Sequence, residues 1–147
     1  MGGALAILAA AETPELVERL ILIAPAGLPL DKPIRSSARD FLRQLACGDY
    51  PHRIALAALL ALARTPRSAL ALAQHVRALD LRRECARVRD AGIPATVIGC
   101  VTDTLITTDM TRVLADALGA RYHELDLRGG HMWMLGDGSV LAAAVSG

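Results

Sequence analysis

The sequence predicts an α/β fold: about three parallel strands with flanking helices, interrupted by an all-helical insertion. Three observations carry this. Leu20-Ile21-Leu22-Ile23-Ala24 and Ile93-Pro94-Ala95-Thr96-Val97-Ile98-Gly99-Cys100 are continuous apolar runs of the kind a buried parallel strand needs. The segment between them shows only helical patterning. A third strand-like run, 121–127, ends in Arg128-Gly129-Gly130-His131, a glycine turn that carries a histidine.

In chain order, residues 1–11 read as a helix rich in Ala and Leu, apolar all round and so expected inside a core. It has no Ser, Thr or Asp N-cap before it, and it ends near Glu12-Thr13-Pro14. The first strand follows, stopped by Pro25-Ala26-Gly27-Leu28-Pro29. Residues 34–91 form the insertion, with helical segments at about 36–47, 53–64, 67–78 and 80–90 punctuated by Pro51 and Pro66. Its arginines (Arg35, Arg39, Arg43, Arg53, Arg64, Arg67, Arg77, Arg82, Arg83, Arg87 and Arg89) read as solvated outer helix faces rather than a basic patch. The second strand leads to a loop with Asp103, then to a helix over 108–118 that Gly119 ends. The third strand, the glycine-histidine turn and a short helix over 139–145 close the chain. Residues 1–33 and 92–147 thus make one layered unit and 34–91 a second, helical one.

Parallel strands in this order end on one edge of the sheet. Asp103 and His131 both follow strand ends, so both are expected on the same rim, where an acid can orient and charge an imidazole. Asp109, the rival acid, falls in the first turn of its helix and suits the dipole there. His52, His75 and His123 have no comparable context, and Trp133 is expected to pack the turn.

Composition narrows the function classes. Of 147 residues, 53% are hydrophobic and only 3% aromatic, so Ala, Leu, Ile and Val must build the core. A net charge of +1 gives no case for nucleic acid or an anionic membrane. Lys32 is the sole lysine, and with the alanine load this suggests a GC-rich bacterial genome. Cys47, Cys85 and Cys100 are odd in number and unpaired in spacing, which argues against disulfides or zinc and fits a reducing, cytoplasmic compartment. The apolar start is too short to span a bilayer and lacks a signal peptide's positive region. No metal or cofactor site is expected.

The chain resembles the C-terminal half of an α/β-hydrolase fold enzyme over essentially its whole length. Met1-Gly2-Gly3-Ala4-Leu5-Ala6 is similar to the continuation of that family's Gly-x-Ser-x-Gly nucleophile elbow, and the segment from Pro14 to Pro29 to the turn and strand that follow it. The insertion corresponds to the family's cap, or lid. The resemblance implies a partial α/β-hydrolase fold, with His131 as general base, Asp103 as its acid and the Met1 amide as an oxyanion donor. It also implies a nucleophile immediately before Met1, with serine favoured by Met-Gly-Gly over the aspartate of epoxide hydrolases and dehalogenases. None of Ser36, Ser37, Ser68, Ser139 and Ser146 sits in a strand-to-helix elbow. The expected protein is an esterase-like hydrolase truncated just after that serine, inactive as this chain alone and acting on a small-molecule ester or related acyl substrate once completed upstream. The alternative is a non-catalytic module that binds a partner, or self-associates, through the exposed edge of its first strand or through the helical insertion.

Overall fold

In the computed structural model, residues 1–30, 33–47, 52–135 and 138–146 are described, with the side chains at 34, 44–47, 52, 55, 58 and 146 excepted. Pro51 and the side chains of Cys47 and His52 lie outside that set. Three parallel strands, β1 (Leu20–Ile23), β2 (Ala95–Cys100) and β3 (Arg121–Leu125), form one sheet in the order β1-β2-β3. Leu20 to Ile23 align with Ala95 to Ile98, and Thr96 to Cys100 with Arg121 to Leu125. Both crossovers return the chain to the same end, so every strand points its carboxyl terminus at one rim.

The helices are α1 (Gly2–Glu12), α2 (Ile34–Cys47), α3 (His52–Arg64), α4 (Pro66–Ala78), α5 (Arg82–Asp90), α6 (Thr108–Leu118) and α7 (Gly138–Ser146). Alternation along β2 divides the core. Val97 joins Leu22, Ile7, Val88, Leu114 and Leu118 under α1, α5 and α6, while Ile98 and Cys100 face Ala24, Trp133, Leu141 and Val145 on the other side. Thr107 caps α6 by accepting from the Met110 amide, and Gly119 ends the helix in the left-handed region at φ 60°.

Three expectations change. Helix α1 is apolar all round but buries one face only, Ala4, Ile7 and Ala10, leaving Leu5 exposed. Strand β1 is not fully enclosed: Ile21 stays 36% exposed, and among the described residues the strand pairs along one edge only. Helix α5, which the sequence groups with the insertion, packs instead on α1 and α6, with Cys85 and Val88 fully buried in the core. By its contacts it belongs to the layered part. Among the described residues helices α2 to α4 contribute nothing to that core, and α2 packs against residues 130–135. The chain between β1 and α2 is tied to the end of α4 by the Leu30 amide donating to Arg77 O (3.0 Å), and to the start of α5 by the Leu81 amide donating to Gly27 O (2.8 Å).

Gly3 explains how α1 reaches the end of β1. A Cβ there would lie 2.8 Å from the Pro25 Cβ, so only glycine allows the helix this close to the strand's exit.

Candidate active site

Asp103 follows β2 in a turn closed by its own amide donating to Cys100 O (3.1 Å). Its carboxylate is 2% exposed and is used on both sides. Oδ1 accepts from the Leu105 and Ile106 amides, each at 2.9 Å, an Asx turn that fixes the rotamer. Oδ2 lies 2.8 Å from Nδ1 of His131. Three directed donors offset the cost of taking this carboxylate out of water. The acid therefore shapes its loop and also aims the imidazole.

His131 sits on a tight turn after two glycines. Gly129 (φ 118°) and Gly130 (φ 56°) reverse the chain after β3, and a 3-10 helical turn, Gly130–Leu135, carries the histidine. A Cβ on Gly129 would stand 3.1 Å from Trp133 Cα, in a region that L side chains rarely adopt. Trp133, 3% exposed, anchors the turn on Ala24, Ile98 and Cys100, consistent with a packing role. The two rim segments are stitched below the pair: Thr102 Oγ1 and Cys100 Sγ both donate to Leu127 O.

His131 opens on a cavity of about 650 Å³. Its walls are mostly aliphatic, from Ala24 and Ala26 after β1, Leu105 and Ile106 beside Asp103, and apolar side chains of α2 to α4. Met1, at the start of α1, lines the same cavity as His131. The Met1 carbonyl accepts from the Ala4 amide (3.0 Å), so α1 begins here, where the first-turn N–H groups of a helix have no acceptor within it. A helix N-terminus beside an imidazole can stabilise developing negative charge.

The remaining candidates separate from this centre. Asp109 lies in the first turn of α6, His75 is exposed on α4, and His123 sits in β3 with Nε2 buried and without a hydrogen-bond partner. All five serines fall within helices: Ser36 and Ser37 in α2, Ser68 in α4, Ser139 and Ser146 in α7. Cys85 is buried beside Glu84, and burial foremost pushes its thiol up to about 11. Among the described residues no three His, Cys, Asp or Glu side chains converge as a metal set, and no helix is long and apolar enough to cross a membrane.

Two lining residues escaped the sequence reading. Ala24, read as the end of a strand, adopts a left-handed φ of 43° where the chain leaves β1. Its only signal is the proline that follows it. Arg77, read among solvated arginines, lines the cavity, with its Nε buried and unpartnered. Helical periodicity alone cannot distinguish a lid's inner face from its outer one.

No family model matches this sequence, and no curated protein does. Solved structures do. The N-acyl homoserine lactone degrading enzyme Est816 is 17% identical with a TM-score of 0.74, aligned over 99% of this chain and 63% of its own. MGS-M2, an α/β-hydrolase enzyme from a Medee basin deep-sea metagenome library, is 13% identical with a TM-score of 0.64, over 99% and 61%. The enol-lactonase from Burkholderia xenovorans LB400 is 25% identical with a TM-score of 0.56, over 99% and 60%. The chain thus has a partial α/β-hydrolase fold and spans about three fifths of the length of these structures.

Proposed function

We propose that this chain is the C-terminal part of a serine hydrolase of the α/β-hydrolase family, acting on esters or related acyl substrates. The observation that carries the reading is the 2.8 Å contact between Asp103 Oδ2 and His131 Nδ1, at a cavity that the start of α1 also lines. An ionised Asp103 accepting from Nδ1–H holds the imidazole in the tautomer whose Nε2 is a base. In this reading the nucleophile is a serine directly before Met1. His131 Nε2 takes its proton as the oxygen attacks the acyl carbon, then delivers that proton to the departing alkoxide. The carbonyl oxygen, now anionic, is met by the Met1 amide and the positive end of α1. Water repeats the sequence on the acyl-enzyme. Two of the similar proteins, a lactone degrading enzyme and an enol-lactonase, act on cyclic esters, which supports the substrate class.

The experiment is to carry the reading frame upstream of Met1. The expected result is a Gly-x-Ser immediately before it. The extended form then hydrolyses p-nitrophenyl butyrate at least about a thousandfold faster than the 147-residue chain, because a triad without its nucleophile retains only residual catalysis. Neither Gly-x-Ser nor Gly-x-Asp at that place, or equal rates from the two forms, contradicts the reading.

One observation favours a second, non-catalytic reading. Among the described residues β1 is paired on one side only, and Leu16, Leu5 and Ile21 near it are exposed. A second copy of the chain pairing along that edge would cover them. A discrete dimer in light scattering supports this reading, and a monomer or a polydisperse aggregate counts against it.

A further inference from the structure

Every arginine of the chain except Arg77 is exposed. Four of the exposed ones pair with carboxylates: Arg82 with Asp80, Arg87 with Glu12, Arg89 with Asp90 and Arg112 with Glu124. Arg77 makes no ion pair among the described residues, and its Nε is buried without a hydrogen-bond partner. It lines the cavity that also holds His131, and among the described residues the only other polar side chain on those walls is that of Ser37.

A guanidinium whose Nε is held like this is costly. Its charge is permanent, and a buried N–H without an acceptor forfeits the hydrogen bond that water supplied in the unfolded chain. An anion entering the cavity would recover that loss. The helix carrying Arg77 is held in place at this point, since the Arg77 carbonyl accepts from the Leu30 amide. The main chain from which this side chain springs is therefore fixed before a ligand arrives, which lowers the cost of binding.

We propose that Arg77 determines substrate specificity by receiving a carboxylate at the far end of an aliphatic acyl substrate. The preferred substrates are then half-esters of α,ω-dicarboxylic acids. This rests on the hydrolase reading for the end of the substrate that meets His131. A carboxylate fits better than a phosphate. One planar guanidinium offers two parallel N–H groups to two oxygens and neutralises one charge, whereas a phosphate dianion would keep an unbalanced charge among aliphatic walls. The apolar lining from α2 to α4 accommodates the methylene stem between the two ends.

Calorimetric titration of the chain with the monomethyl esters of adipic, suberic and sebacic acids, against their neutral dimethyl esters, tests the proposal. At least one half-ester is expected to bind about tenfold or more tightly than its diester. The ratio should fall to near one in Arg77→Gln and be partly retained in Arg77→Lys, with circular dichroism establishing that each variant is folded. A ratio near one in the native chain, an unchanged ratio in Arg77→Gln, or binding of neither ester overturns the assignment. The two readings fail separately. Hydrolysis of p-nitrophenyl butyrate by the upstream-extended form without any charge preference removes Arg77's role and leaves the hydrolase. A half-ester preference without hydrolysis of any ester does the reverse.

Discussion

The rim where β2 and β3 end and the helical insertion above it are built on different principles. On the rim the polar atoms around the pair are closely engaged: Asp103 gives one oxygen to two backbone amides and the other to His131, and Leu127 O receives two donors from the neighbouring segment. Among the described residues, helices α2 to α4 show few such bonds. These helices present Leu42, Leu56, Leu59, Leu60, Leu70 and Leu72 half-exposed, and their inner side forms a cavity rather than a filled core. Directed hydrogen bonds hold atoms to fractions of an ångström, while loosely packed aliphatic faces hold a shape. In the hydrolase reading proposed above, the first serves proton transfer and the second a variable acyl group.

Catalysis should show this contrast most strongly. In the upstream-extended form, His131→Ala and Asp103→Asn should each lower kcat by about four orders of magnitude, the second by allowing the wrong imidazole tautomer. Leu70→Ala on the cavity wall should instead raise KM, by less than about tenfold, with kcat nearly kept. Steady-state kinetics on p-nitrophenyl esters check both, and a kcat loss in Leu70→Ala as large as that in Asp103→Asn would erase the distinction.

Stability should divide the same way on a smaller scale. Leu114, fully buried on the inner face of α6 against Gly27, should cost about 3 kcal/mol as Leu114→Ala, whereas Leu60→Ala on α3 should cost under about 1 kcal/mol. Denaturant titration reads the difference. Gly129→Ala falls between them at about 1–2 kcal/mol, from a disfavoured φ and contact with the Trp133 backbone, and should lower activity with it by shifting the turn that carries His131.

The core also predicts a pH effect. Cys85 is pushed up from 9.0 to about 11 in the folded chain, so the folded state keeps its proton where the unfolded state has lost it. Stability is therefore unaffected below about pH 9 and falls between about pH 9 and 11, and Cys85→Ala should flatten that slope. The smallest effect is at the surface. Arg82→Ala breaks an exposed pair with Asp80 and should change stability by less than about 0.5 kcal/mol.

The sequence made the strands, the helix ends and the Asp103–His131 rim legible because each leaves a local mark. Apolar runs mark β1 and β2, Gly119 marks the end of α6, and the glycines before His131 mark the reversal. It could not show that Asp103 serves two masters, since the Asx turn and the histidine contact use different oxygens of one residue. Nor could it separate α5 from the insertion, because Arg-rich helices look alike until Cys85 and Val88 are seen buried. Arg77 was hidden for the same reason. A helix's inward side depends on what stands opposite, and for α4 that is a cavity reached only through tertiary structure.

The central claim, that Asp103 holds His131 as a base, can be read without any substrate. Long-range nitrogen–proton correlation NMR of the histidine-labelled chain near neutral pH reports the imidazole tautomer directly. The account predicts His131 protonated on Nδ1 and unprotonated on Nε2, with that preference lost in Asp103→Asn. A His131 protonated on Nε2, or a tautomer that Asp103→Asn leaves unchanged, would contradict it.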